Sequence, residues 1–525
     1  MASTADPSVA APARRKFGLS LPAIAIAVIL AVTGFFRLTV GAERPLWLDE
    51  AQTGMLVMQP SWPEFFRQLS YDINAPLYSV LARLWATFAG VSNPGLRSLP
   101  VLLGLIAPMI ALIPRNLIDR PIRFTWCALM ACWIPGIIFA QEARWYTLAL
   151  ALGMANAVTF IALLREPSRR NAWVWAGVSS LMVLAHYYGV ILLAFQGPAY
   201  LAIHKRRALA TWPAALAFIP AVAALAMHAA RLVAFTTPGM AWIPLLRPSD
   251  FYWKLGFFFG NTGLVYLIGL WLVLAIAIRL LAGSLREMVR IQMGDGLWTT
   301  ALCSLAASGL AIGAGFLAPI AVDRYFTEFV PGIMLGLAKF AVRFDRRSTG
   351  ASAAVLVTLY FGFAIFWTLM IRPSRDIHDY NYEWASDALI ATHPDRLVFL
   401  WDNPMRPEKS QLADLGGFFF TRAGLKTPVD PVVLARGEDP NKVLLAHAAA
   451  PGSAILWISD RGVRGTAANR FKPAIGRIDP SWQCRNFGNW QYRIIACSRD
   501  PSWRTLPRNP LAKLSRESAG MPTVK

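Results

Sequence analysis

Asp49 and Glu50 are adjacent carboxylates that follow Trp47 and Leu48, a few residues beyond an apolar run that ends near residue 39. A carboxylate where a membrane surface meets water can take a proton from an acceptor hydroxyl while the lipid part of a donor stays in the bilayer. The same pair also fits an acidic, solvated helix start, and spacing alone leaves both readings open. Glu142, Arg144 and Tyr146 stand at the junction of two later apolar runs, His186, Tyr187 and Tyr188 at a second junction, and Arg324 and Tyr325 at a third. An arginine fork binds a phosphate at two points, and a glutamate can orient the arginine. The structural alternative for Arg324 is an ion pair with Asp323 or Glu328. For the His186 cluster it is an interfacial aromatic belt with a hydrogen-bonding histidine.

The elements that must position these groups follow from composition. The chain has 525 residues, 56% of them hydrophobic and 15% charged, and a mean hydropathy of +0.44, which excludes a soluble protein of this length. A net charge of +21 raises nucleic-acid binding, but the basic residues sit in short clusters between apolar runs and not in a basic domain. Apolar segments of spanning length fall at 17–39, 97–114, 124–140, 146–164, 171–185, 188–203, 208–228, 256–279, 297–319, 325–342 and 350–371, about eleven in all. The first, behind Arg14, Arg15 and Lys16, resembles a signal peptide, but it is about twenty residues long and has no convincing cleavage site, so it reads as a span.

Basic clusters set the topology. If the short apolar stretch 76–90, which carries Arg83 near its middle, lies at the interface, the clusters at Arg14–Lys16, Arg115–Arg123, Arg165–Arg170, Lys205–Arg207, Arg279–Arg290 and Arg343–Arg347 all fall on one side. The N-terminus (1–16) is then cytoplasmic, 40–96 is a long first outer loop, and every candidate residue above lies on the outer face of the cell (inner) membrane. Beyond residue 371 the sequence turns mixed and polar, with β-like runs at 396–401, 416–420, 431–435, 454–459 and 492–497. The expected fold is a polytopic all-α membrane domain (17–371), a small extracytoplasmic α/β domain (372–499), and a basic, disordered tail (500–525). Cys484 and Cys497 flank NFGNWQ, a segment able to turn a hairpin, and in an oxidising compartment they are expected to form a disulfide. Cys127, Cys132 and Cys303 lie inside apolar runs as packing residues.

The six histidines are scattered without zinc-site spacing, and no nucleotide-binding glycine pattern occurs. No cofactor is implied, although the outer carboxylates leave a divalent metal open. A lipid carrier is already concentrated at the interface, because each buried CH₂ is worth roughly 0.8 kcal/mol. Its phosphate departs as an anion that needs cationic stabilisation more than a proton.

Five segments carry a resemblance: WLDEAQ (47–52), APLYSVLARLW (75–85), QEARWYTLAL (141–150), AHYYGVILL (185–193) and DRYFTEFVPGIMLGLA (323–338). In that order they resemble the membrane glycosyltransferases of the C superfamily (GT-C). They look most like bacterial relatives of protein O-mannosyltransferases (glycosyltransferase family 39) and the lipid A aminoarabinose transferase. The resemblance covers about residues 20–340. It implies a polyprenyl-phosphate-linked sugar donor and a lipid, glycan or protein acceptor, with Asp49 as base, Glu50 as its catalytic neighbour, Glu142 and Arg144 lining the site, and Arg324 at the carrier phosphate. Relatives have His-Pro-Pro where this chain has Asn74, Ala75 and Pro76, so contacts there differ. A transporter or flippase of lipid-linked saccharides, or a ligase using a pyrophosphate carrier, is the alternative. Transporters tend to show intramembrane charges and repeated halves, whereas here the carboxylates gather at the span ends. Reporter fusions are expected to place positions 118, 205 and 345 in the cytoplasm and positions 45, 143 and 450 outside; a cytoplasmic signal at 450 removes the topology.

Overall fold

A computed structural model of the chain describes residues 20–42, 44–236, 243–281, 295–344, 351–375, 381–402, 408–435, 437–459, 474–487 and 493–505. The tail 1–16, the basic residues Arg286, Arg290, Arg346 and Arg347, and the stretch beyond 505 lie outside the described residues. All eleven apolar segments contain helix. Among the described residues seven helices are long and apolar enough to cross a membrane: Leu21–Thr39, Asn93–Leu112, Tyr146–Arg165, Trp212–Ala234, Gly296–Gly315, Asp323–Arg343 and Ala351–Met370. Asp250–Phe259 and Thr262–Leu274 make an eighth only if counted as one span bent by 77°. The segments expected at 124–140, 171–185 and 188–203 are shorter: Arg120–Cys132 followed by Ile134–Phe139, then Arg169–Ala185, then Gly189–His204. Hydropathy counts apolar residues and does not see where the chain breaks. The chain is a multi-pass membrane protein.

One break shows how the membrane interior tolerates it. Pro135 has no N–H to give to the carbonyl of Ala131, so the helix Arg120–Cys132 ends beneath it. Arg37, fully buried on Leu21–Thr39 (α1), donates through Nη2 to that carbonyl at 3.0 Å. The charge in the first span thus replaces the missing backbone donor. Leaving a carbonyl unmet in hydrocarbon costs several kcal/mol.

Between α1 and the helix Asn93–Met109 (α5) the chain makes three short helices, Leu48–Val57 (α2), Trp62–Tyr71 (α3) and Pro76–Ala89 (α4). Each start has a local cause: the Ser61 hydroxyl accepts from the Glu64 N–H at 3.3 Å to open α3, and Pro76 opens α4. At ~1.5 Å per residue α4 is ~21 Å long, short of a hydrocarbon core of ~30 Å. Its Arg83 donates to the carbonyls of Val57 (3.1 Å) and Gln59 (2.8 Å), which ties it to the end of α2. A helix of that length does not span the hydrocarbon core by itself.

After the helix Ala351–Arg375 comes a small α/β unit. Its strands Arg396–Asp402 (β1), Val429–Pro431 (β2), Ser453–Ser459 (β3), Gln483–Asn486 (β4) and Arg493–Ser498 (β5) lie in the order β2-β1-β3-β5-β4. β1 runs parallel to β2 and β3, and β5 runs antiparallel to β3 and β4. Two expected strands are corrected. GGFFF (416–420) is the end of the helix Lys409–Arg422, because Leu412, Leu415 and Phe419 repeat at helical spacing and share a buried face. The run 431–435 contributes only Pro431 to β2. Short apolar runs do not distinguish the two periods.

Cys484 and Cys497 face each other across β4 and β5 and are joined by a disulfide with an S–S distance of 2.09 Å. The bridge is 13 residues apart in sequence. Replacing both cysteines by serine is expected to lower the unfolding free energy of this unit by about 3 kcal/mol, the loop-closure value for a loop of this size. Denaturant titration of the full chain in detergent, followed by tryptophan fluorescence, measures it; a transition unmoved by the substitution rules the contribution out.

Candidate active site around Asp49

The site is built on the α2 turn, and its foundation is Glu50. The Glu50 carboxylate accepts from Arg97 Nε at 2.8 Å and from Arg97 Nη2 at 2.7 Å, a two-point pair that is almost wholly buried, at 0% and 2% exposure. It also accepts the Ala143 N–H at 2.8 Å and, at 3.4 Å, the Trp47 N–H that opens α2. Arg97 donates further to the carbonyls of Arg44 (2.6 Å) and Pro45 (3.1 Å). One carboxylate therefore joins α2, α5, the loop 41–45 and the turn at Ala143. The expectation that Glu50 does chemistry beside Asp49 meets a side chain enclosed by four donors. Arg97 was missed by sequence reasoning; its only signal is a lone arginine opening an apolar run just after an acidic loop.

Asp49 precedes Glu50 by one residue, about 100° round the helix, and so faces the other way. Its side chain is 27% exposed. Oδ2 lies 4.0 Å from Arg144 Nη2 and 3.8 Å from Arg324 Nη2, close enough for ion pairing and too long for a direct hydrogen bond. Arg144 Nη1 donates to the Asp49 carbonyl at 3.1 Å and approaches Thr53 Oγ1 at 3.5 Å, so the arginine is set against α2 itself. Its Nε is buried without a partner among the described residues. Burial, the largest single influence, works against the Arg144 charge, but Asp49, Tyr146 and Asp72 together raise the guanidinium's pKa. Arg324 lies over the rings of Trp47 (5.7 Å) and Tyr325 (5.8 Å). Its expected alternatives are taken up elsewhere: Asp323 pairs with Lys254, and Glu328 with His186.

Aromatic side chains wall this centre. Tyr146 is fully buried with its hydroxyl unpartnered among the described residues, and the charges of Arg324, Arg144 and Asp49 all act on it. Tyr78, from α4, is likewise buried with an unpartnered hydroxyl, and burial pushes its pKa up. Its signal was the Leu-Tyr of APLYSV, noticed for pattern and not for chemistry. Glu142 is buried in the turn before Arg144, where its carbonyl accepts the Arg144 N–H at 2.6 Å. His186 stacks on Trp145 with ring centres 3.8 Å apart, lies 5.0 Å from the Tyr325 ring, and holds Glu328 Oε1 at 3.1 Å through Nδ1. It packs behind Tyr325. Tyr187 turns away from this stack and bonds His228 Nδ1 at 2.7 Å. Among the described residues no group of three or more His, Cys, Asp or Glu stands together as a metal site requires.

No family model matches the chain, and no curated protein matches it by sequence. Solved structures do match its fold. ArnT from Cupriavidus metallidurans, bound to undecaprenyl phosphate, superposes with a TM-score of 0.56 at 11% identity, over 91% of this chain and 98% of that one. ArnT in the apo state gives a TM-score of 0.56 at 11% identity, over 90% and 97%. The Archaeoglobus fulgidus oligosaccharyltransferase in the apo form gives 0.46 at 10% identity, over 83% and 69%. The chain thus shares the fold of ArnT, a polytopic helical membrane domain carrying a small α/β unit.

Removing one partner of a buried ion pair leaves an uncompensated charge and costs about 3 to 5 kcal/mol. Arg97→Met is therefore expected to lower the melting temperature sharply or prevent folding, whereas Asp49→Asn, at a partly exposed position, leaves it within about 2 °C. Thermal unfolding of the two purified variants makes the comparison, and equal melting points deny Glu50 its structural role.

Proposed function

We propose that this protein is a glycosyltransferase that moves a sugar from a polyprenyl-phosphate carrier to an acceptor hydroxyl at the Asp49 end of its spans. The observation that carries the reading is a single partly exposed carboxylate faced by two guanidinium groups at the mouth of an ArnT-type fold. ArnT of that fold is bound to undecaprenyl phosphate. The orientation rests on charge and redox. Arg120 touches Ser20, and Arg165 reaches Asn116, so the basic clusters gather at the end of α1 away from Asp49, as cytoplasmic residues do. The disulfide belongs to the unit at the Asp49 end, as an oxidising compartment requires. An N-terminus inside and an α/β unit outside need an odd number of crossings, and eleven result if the three shorter helices and the bent pair also cross.

In this reading Asp49 accepts the proton of the acceptor hydroxyl as that oxygen attacks the anomeric carbon, and the carrier phosphate leaves with the bonding electrons. Arg144 and Arg324 meet the phosphate's charge, in a site where aromatic walls keep the local dielectric low. Both guanidinium groups stand 4.0 and 3.8 Å from the Asp49 carboxylate, near enough to share its field. The unpartnered hydroxyls of Tyr146 and Tyr78 are donors for sugar or phosphate oxygens.

Asp49→Asn is expected to lower turnover by about 10² to 10⁴ while folding and donor binding persist. Arg324→Ala and Arg144→Ala are expected to weaken donor binding. The assay uses purified protein, labelled polyprenyl-phosphate sugars, and lipid, glycan and protein acceptors. Near wild-type transfer by a folded Asp49→Asn protein would falsify the assignment of the base, and transfer only from pyrophosphate carriers would make the protein a ligase.

A further inference from the structure

The α/β unit grips the helix that carries Asp49 at three points. At the start, the Leu46 N–H donates to Glu383 Oε2 at 2.6 Å, two residues before α2. The same Glu383 oxygen accepts from Asn93 Nδ2 at 2.9 Å, while Arg422 pairs with Glu383 and donates to Asn93 Oδ1 at 2.6 Å. At the middle, the Phe418 ring lies against Gly54 so closely that a Cβ there would come within 2.3 Å of it. At the end, Gln59 Nε2 donates to the Met55 carbonyl at 3.1 Å and to Asp414 Oδ2 at 3.2 Å, and Gln68 Nε2 donates to the same Asp414 oxygen at 2.6 Å. Glu383 belongs to the helix Asn381–Ile390, and Asp414, Phe418 and Arg422 to the helix Lys409–Arg422.

These contacts have a feature that simple domain packing lacks. They bracket the one short helix whose first turn carries the candidate base, and Glu383 is buried with partners from the segment before α2, from α5 and from the helix Lys409–Arg422 together. The membrane side holds α2 through Glu50, one turn along from the backbone bond at Leu46, through Arg144 at the Asp49 carbonyl and through Arg83 at its end. Held from that side alone, a ten-residue helix can still tilt about those holds. A catalytic group misplaced by about 1 Å can lose about 10²-fold in rate.

We propose that Glu383 is a positioning residue for Asp49, and that the α/β unit acts as the upper half of a clamp that sets the height and tilt of α2. This rests on the reading of Asp49 as the base. The acceptor hydroxyl, the Asp49 carboxylate and the two guanidinium groups must be aligned in one pose, and the clamp fixes the member of that set carried on the short helix α2. Its effect falls on the chemical step more than on capture of the lipid donor, because Arg324 belongs to the segment Asp323–Phe329 and only Arg144 leans on α2.

The test uses the full-length protein with a polyprenyl-phosphate sugar donor. Glu383→Ala is expected to lower kcat about tenfold or more, with the donor KM within about twofold of wild type. Glu383→Gln, which keeps an oxygen for the Leu46 N–H, is expected to recover most of that loss. Gly54→Ala, which presses Phe418 away, is expected to lower kcat in the same way from the other end of the clamp. Hydrogen exchange at the amides of residues 46–53 is expected to quicken in Glu383→Ala while that of α5 stays slow, a readout independent of activity. An unchanged kcat with unchanged exchange overturns the proposal, as does a loss of kcat no larger than the loss of folded protein. If Asp49→Asn keeps its activity, the base assignment fails, and the exchange data alone then decide whether the clamp exists.

Discussion

The rest of the Asp49 end depends on the buried pair of Glu50 and Arg97. Two charges leave water only if their hydrogen bonds are nearly all met, and here they are met by backbone from three separate segments. The pair therefore does more than neutralise itself. It makes the first turn of α2, the loop leaving α1, the start of α5 and the turn at Ala143 conditional on one another. Arg144 follows Ala143 by one residue, so the pair also sets the height of the guanidinium that faces Asp49.

Two neighbouring acids thus divide the work by direction alone. Glu50 points into the protein and is enclosed by donors; Asp49 points to the mouth and keeps over a quarter of its side chain exposed. Wrapped by four donors and fully buried, the Glu50 carboxylate leaves no room for a substrate hydroxyl to approach. Asp49 has charges near it but no direct side-chain hydrogen bond to either guanidinium. That contrast separates a structural from a chemical carboxylate more firmly than the sequence DE can.

Elsewhere the membrane domain shows the same economy with charge. Arg37 stands in the first span only where Pro135 has left the Ala131 carbonyl without a donor. Polar side chains within the spans close on each other, as Asn156 and Gln196 do at 2.7 Å. Near Asp49, Arg144 Nε and the hydroxyls of Tyr78 and Tyr146 are buried without a partner among the described residues.

The sequence by itself determined the class of solvent and the order of elements. Long apolar runs cannot remain in water, and a polypeptide in hydrocarbon must satisfy its backbone internally, so helices there were dictated. Arg144, Tyr146, Arg324 and Tyr325 were legible because charges and aromatic side chains cluster where spans end, and the structure gathers them around Asp49. What only the tertiary structure decided is which partner each charge takes. Arg324 had Asp323 beside it in the sequence, yet it faces Asp49, 275 positions away, while Asp323 turns to Lys254. Arg97 and Glu383 were invisible for the same reason: their meaning lies in backbone groups that approach them only after the chain has folded. Helical period and hydropathy are properties of neighbours along the chain, whereas a buried charge is made tolerable by groups distant in sequence, and those are brought together by packing.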